Sequence, residues 1–242
     1  MRSPFRTACS IVSLACVAVL VAQPATAKPA PAAAPAAKAA ADVPWLYRGS
    51  DVPRDKEWTF GELPNGLRYA VRNNGVPPGQ VSIRVRIDAG SLYENDSERG
   101  FAHLLEHMVF RQSRYLGDGA AIPAFQRLGA TFGSDTNAET SPVSTTFKLD
   151  LPNATPASLD ESFKLVSGMM IAPTLSEANV RTDVPIVLAE KRERGGLAER
   201  LADATQQTLF AGQRMAARPV IGTTETLEAA NQASVRAFHA RW

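Results

Sequence analysis

Two stretches of this chain alternate with period two, and they limit its fold more than any other feature. Val81, Ile83, Val85 and Ile87 are separated by Ser82, Arg84 and Arg86, and over 141–151 Val143, Thr145, Phe147, Leu149 and Leu151 are separated by more polar residues. Successive side chains of a strand point to opposite faces, so each stretch makes a strand with one apolar and one polar face. Such strands suit a sheet covered on one side and turned toward solvent or another domain on the other. Cover is available in helical patterns at 99–111, 122–128, 159–170, 197–210 and 224–242, and in a run capped by Ser176 that reaches Arg194. Pro185 has to kink that run or sit near its first turns. An earlier hairpin is predicted from Trp58-Thr59-Phe60 through the Pro64-Asn65-Gly66 turn into 67–71. The expected fold class is α+β, a mostly antiparallel sheet with its helices gathered on one side, without internal repeats.

Upstream, residues 1–27 read as an export signal. Arg2 and Arg6 precede an uncharged apolar stretch from Ala8 to Ala22, and Ala25-Thr26-Ala27 supplies small residues for cleavage. The stretch falls short of the ~20 residues a membrane span needs, so no stable span is expected once the signal is removed. Cys9 and Cys16 are the chain's two cysteines and both lie in this segment, which leaves the mature chain without disulfides or thiolate ligands. That pattern suits a bacterial periplasm. Residues 28–44, nearly all Ala and Pro, form a spacer that cannot bury enough surface to order itself. Folded sequence is expected over 45–242, and the ending Ala240-Arg241-Trp242, without turn or cap, suggests a domain incomplete at its carboxy end. The formal charge of +2 resides in Arg2 and Arg6; without them 24 basic residues face 24 acidic ones. Nothing in this balance points to a nucleic-acid partner.

Chemistry concentrates in His103-Leu104-Leu105-Glu106-His107. Residues four apart share a helix face, so His103 and His107 can offer ring nitrogens to one ion, while Glu106 reaches the same side to meet a metal-bound water. This is H-x-x-E-H, the reverse of H-E-x-x-H. Two of only three histidines occupy the ligand positions, which argues against two ordinary core histidines. His239, alone on the last helix, reads as structural or surface. A single zinc ion needs a third protein ligand, and without cysteine that ligand should be a carboxylate. Asp183 and Glu190 lie two turns apart on one helix, so one can bind zinc while the other steadies a histidine or the water.

Gly100-Phe101-Ala102-His103-Leu104-Leu105-Glu106-His107-Met108-Val109-Phe110 resembles the signature helix of the pitrilysin/insulinase-like metallopeptidases, which include the mitochondrial processing peptidases. Asn137-Ala138-Glu139-Thr140 is similar to the family's edge-strand segment beside the metal. The turn Leu63-Pro64-Asn65-Gly66-Leu67 and the stretch Pro219-Val220-Ile221-Gly222-Thr223 are similar as well. The resemblance implies a peptidase half-domain with His103, His107 and Glu190 on zinc, Glu106 as base and Asp183 in a supporting catalytic role. It implies that substrate, a peptide or unfolded protein, adds as a strand along Asn137, Ala138, Glu139 and Thr140. A second homologous half, on the same full-length chain or on a partner subunit, is implied too. Arg111-Gln112-Ser113 stands where the family has Gly-Thr, Phe132-Gly133-Ser134-Asp135 where it is glycine-rich, and Asp183 where Glu is commoner. The main alternative is a non-catalytic zinc- or peptide-binding partner subunit; a purely structural module would leave Glu190 remote from the histidines and Glu106 packed on a basic residue.

Overall fold

The computed structural model describes Trp45, Tyr47 and residues 49–242; the predicted signal and the spacer at 28–44 lie outside the described residues. The described chain divides into two compact units, one ending at Arg72 and one spanning Asn73–Trp242.

In the first unit, β1 (Trp58–Glu62) pairs antiparallel with β2 (Arg68–Arg72), with Phe60 opposite Ala70. The turn is closed by Leu63 N–H on Leu67 O at 2.8 Å and Gly66 N–H on Leu63 O at 2.9 Å. The Phe60 ring collects Trp45 and Tyr47, at centroid distances of 5.0 and 5.3 Å. The hairpin forms where its sequence predicts. Among the described residues it forms a two-stranded sheet of its own.

The second unit is built on a three-stranded antiparallel sheet of order β3 (Val81–Ile87), β5 (Thr145–Leu151), β4 (Thr136–Thr140). β5 is central, and its alternation is strict: Thr145, Phe147, Leu149 and Leu151 are buried, and the residues between them are not. Ile83 faces Leu149 and Val85 faces Phe147 across the register, so the apolar residues of both strands share one side. On the other side Arg84 forks onto Asp150, at 2.7 and 3.2 Å, and Lys148 joins it at 3.1 Å.

Helices cover the apolar face. α1 (Phe101–Arg111), α2 (Ala121–Arg127) and α3 (Pro156–Ile171) lay Val109, Phe125, Leu165 and Met169 on Leu149 and Leu151. A second core forms on the far side of α1, where Phe101, Leu104 and Met108 meet Val180, Val184 and Val187 of α4 (Glu177–Arg194). α5 (Leu197–Leu209) follows with no buried residue. α6 (Thr224–Glu228) and α7 (Gln232–Arg241) close this second core with Leu227, Val235 and Phe238. The α+β class and the one-sided helical cover thus match the expectation.

Three features differ from the sequence pattern, the first being that β5 begins at Thr145 rather than at 141 and leaves Val143 exposed. Residues 224–242 form two helices, because the Asn231 side chain accepts from Ser234 N–H at 3.0 Å and starts a new one. Pro185 lies inside α4, and the helix runs on through it. The Arg181 carbonyl that Pro185 cannot satisfy belongs to an exposed residue, so water can reach it. Ser176 caps α4 as predicted, accepting from Asn179 N–H at 3.1 Å. Among the described residues no helix is long and apolar enough to cross a membrane.

Candidate metal centre

α1 lies between both cores, and this burial dictates which of its faces remains for chemistry. Phe101, Leu104 and Met108 commit one flank to the helical core and Val109 commits another to the sheet-side core. The remaining strip carries His103, Glu106 and His107 toward β4 and the last turns of α4. There Glu190 Oε2 lies 3.6 Å from His103 Nε2 and 3.3 Å from His107 Nε2. The three donors fall within 4.8 Å of one another. Bonds of about 2.05 Å at a tetrahedral metal would separate two ligand atoms by roughly 3.3 Å, so this donor set fits one zinc ion. His103 is buried, and burial, helped by the neighbouring His107 charge, pushes its pKa down to about 4. The ring is therefore neutral at physiological pH, the form that binds metal. The second carboxylate oxygen of Glu190 is ion-paired with Arg194 Nη2 at 2.5 Å, which leaves the first facing the histidines. Glu190 is thus adjacent to both rings, the opposite of what a purely structural module requires.

Glu106 projects from the same strip, and its Oε2 accepts from the Thr140 hydroxyl at 2.5 Å. Burial raises its pKa; that hydroxyl and the His107 charge pull the other way. A carboxylate poised upward of its usual range suits a group that must take and return a proton. Thr140 ends β4, which pairs with β5 along one edge and with no other strand among the described residues. Asn137 and Glu139 are exposed on it, with Asn137 Oδ1 accepting from Ala138 N–H at 2.9 Å, while Ala138 turns into the sheet-side core.

Asp183 stands elsewhere than expected. Its carboxylate accepts from Arg111 Nε at 2.8 Å and from Arg111 Nη2 at 2.6 Å, so it faces the end of α1 rather than a histidine. The cause is Arg111, one turn past His107, whose planar fork matches a carboxylate held two turns before Glu190. His103 Nδ1 is left buried with no hydrogen-bond partner among the described residues. His239 meets the Met170 carbonyl through Nε2 at 2.8 Å, a structural contact as its sequence position suggested.

Sequence reasoning overlooked Glu94. It is fully buried, and its two oxygens accept from Gly100 N–H and Ala102 N–H, both at 2.9 Å, at the start of α1. The one signal for it was indirect: Gly100-Phe101-Ala102 offers no side chain to cap its own helix.

An antiparallel sheet backed by helices, two of which bring together a His-His-Glu donor set able to hold a metal ion, defines the α+β class of this chain. The profile of Insulinase (Peptidase family M16) matches residues 70–224, and the chain belongs to that family. It is 31% identical over 191 residues to the probable zinc protease PqqL of Escherichia coli, covering 79% of this chain and 20% of that protein. The crystal structure of the periplasmic protease PqqL from Escherichia coli superposes with a TM-score of 0.75, covering 79% of this chain and 21% of that one. A structure of the first half of the same protease matches equally, at a TM-score of 0.75 and 31% identity, with 41% of that half covered by 79% of this chain. The chain thus spans about a fifth of the length of the PqqL protein it matches.

Proposed function

We propose that this chain carries the metal centre of a zinc-dependent endopeptidase that hydrolyses peptides or unfolded proteins. The observation that carries the reading is the convergence of His103, His107 and Glu190 within 4.8 Å, beside a half-buried Glu106 on the same helix as the two histidines. His103, His107 and Glu190 would hold the ion, and a zinc bound there supplies Lewis acidity toward water and the scissile carbonyl. Glu106 takes the proton of the attacking water and returns it to the leaving amine, with the Thr140 hydroxyl fixing its orientation. The free edge of β4 receives an extended peptide as an added strand along Asn137–Thr140. Asp183 supports the site at one remove, holding Arg111 and with it the end of α1. Residues 1–27 direct export to a bacterial periplasm and 28–44 space the peptidase domain that begins near Trp45. A second homologous half, on the full-length chain or a partner subunit, closes the substrate cavity.

The test compares zinc stoichiometry and cleavage of a quenched-peptide library for the unsubstituted chain and Glu106→Gln. The expected result is one zinc in both and cleavage by the unsubstituted protein alone. Zinc without cleavage, even with the second half supplied, would favour a non-catalytic partner subunit; no zinc in folded protein would overturn the reading.

A further inference from the structure

α1 carries two of the three metal donors and the base, yet its own sequence provides neither a capping side chain nor an acidic residue in its first turn. Free N–H groups at a buried helix start have to be satisfied from elsewhere. Glu94 does this from six and eight residues upstream, with one carboxylate oxygen on Gly100 N–H and the other on Ala102 N–H. It is itself anchored. Its backbone carbonyl accepts from Arg218 Nε at 3.2 Å and from Arg214 Nη2, and the buried Arg218 also donates to Asp96 at 2.6 Å.

The same joint reaches the third donor. Gly100, at φ +93°, lies backbone to backbone against Gly222, where an added Cβ would come within 2.5 Å of the Gly100 Cα. The Gly222 carbonyl accepts from Lys191 Nζ at 2.7 Å, and Lys191 directly follows Glu190 on α4. The start of α1 and the Glu190 turn of α4 are therefore tied to one short loop, at 218–222.

We infer that Glu94 is a positioning residue for the metal centre: by seating the N-terminus of α1 it sets where His103 and His107 present their ring nitrogens to Glu190. This rests on the metal reading above. A chain without the Glu94 carboxylate keeps both cores, which pack through other residues, and loses the axial stop on α1.

The test measures the zinc dissociation constant by chelator competition, and the visible absorption of the cobalt(II) form, for the unsubstituted chain, Glu94→Gln and Leu165→Ala. Work at about pH 8 keeps a carboxyl of pKa about 7 ionised. Leu165 belongs to the sheet-side core and reports on lost stability alone. Glu94→Gln is expected to weaken zinc binding by about tenfold or more and to alter the cobalt spectrum, as loss of groups that orient ligands does. Leu165→Ala is expected to lower the melting temperature and leave both readouts unchanged. Unchanged zinc affinity in Glu94→Gln, or an equal loss in Leu165→Ala, overturns the inference while the metal reading stands. If the unsubstituted protein binds no zinc, both fall. Should Glu94→Gln not fold, Glu94→Asp, with its carboxylate one methylene short, replaces it with the same two outcomes.

Discussion

Removing one partner of the Arg111–Asp183 pair should cost far more than its place between two helices suggests. Asp183 is 3% exposed and both its oxygens are taken by Arg111, which retains a second contact from Nη1 to the exposed Asp118 at 3.3 Å. Breaking a buried ion pair from one side costs about 3–5 kcal/mol, because a desolvated charge is left behind. Asp183→Asn belongs at the low end, about 3 kcal/mol, since Arg111 keeps Asp118 and some access to water. Arg111→Met belongs at the high end, because it strands a buried carboxylate with no other partner among the described residues. At about 2–4 °C per kcal/mol for a chain of this size, Asp183→Asn should lower the melting temperature by roughly 6–12 °C. Urea titrations analysed by linear extrapolation give the free energies directly. The double variant Arg111→Met/Asp183→Leu removes both charges and should recover most of the loss. A cost below about 1 kcal/mol for Asp183→Asn, the range of exposed pairs, would refute the argument from burial.

Two further outcomes follow from the same interior. Burial raises the Glu94 pKa from the ordinary 4.5 to about 7, against the pull of the Ala102 and Gly100 N–H groups. A folded-state pKa above the unfolded one contributes stability that is complete below about pH 4.5 and disappears as the pH rises through about 7. The stability difference between the unsubstituted chain and Glu94→Gln should therefore shrink by about 3 kcal/mol between pH 4.5 and 8, and a pH-independent difference would contradict this. Stripping zinc with a chelator removes ligand stabilisation of about 4 kcal/mol when free metal stands a thousandfold above its dissociation constant, and should depress the melting temperature by roughly 8–16 °C. Glu190→Gln should show little response to the chelator; an equal response in both proteins would place the metal elsewhere.

Much of this architecture was legible in local patterns. The alternation at 81–87, the Pro64-Asn65-Gly66 turn and the Ser176 cap are each written in residues close in sequence, and each appears where predicted, while the run predicted over 141–151 makes a strand only from Thr145. The i, i+4 spacing of His103 and His107 is likewise a local property, fixed as soon as α1 is a helix. The break at Asn231 was also local, a capping signal outweighed by the apolar pattern around it. What local pattern could not settle was which of two carboxylates on α4 meets the rings, because Asp183 and Glu190 are equivalent in helical phase. Among the residues themselves, without the family likeness, that choice is made by tertiary packing. α1 and α4 cross so that Arg111 captures Asp183 at one end and leaves Glu190 beside His103 and His107 at the other. The capping of α1 by Glu94, and the link from Gly222 to Lys191, were equally invisible, since each joins groups that approach only when separate segments pack. The sequence by itself therefore determined the strands, the helices and the donors on α1. Only the tertiary structure decided how α1 is seated and which carboxylate it meets, because those contacts depend on long-range burial, and short-range periodicity carries no record of it.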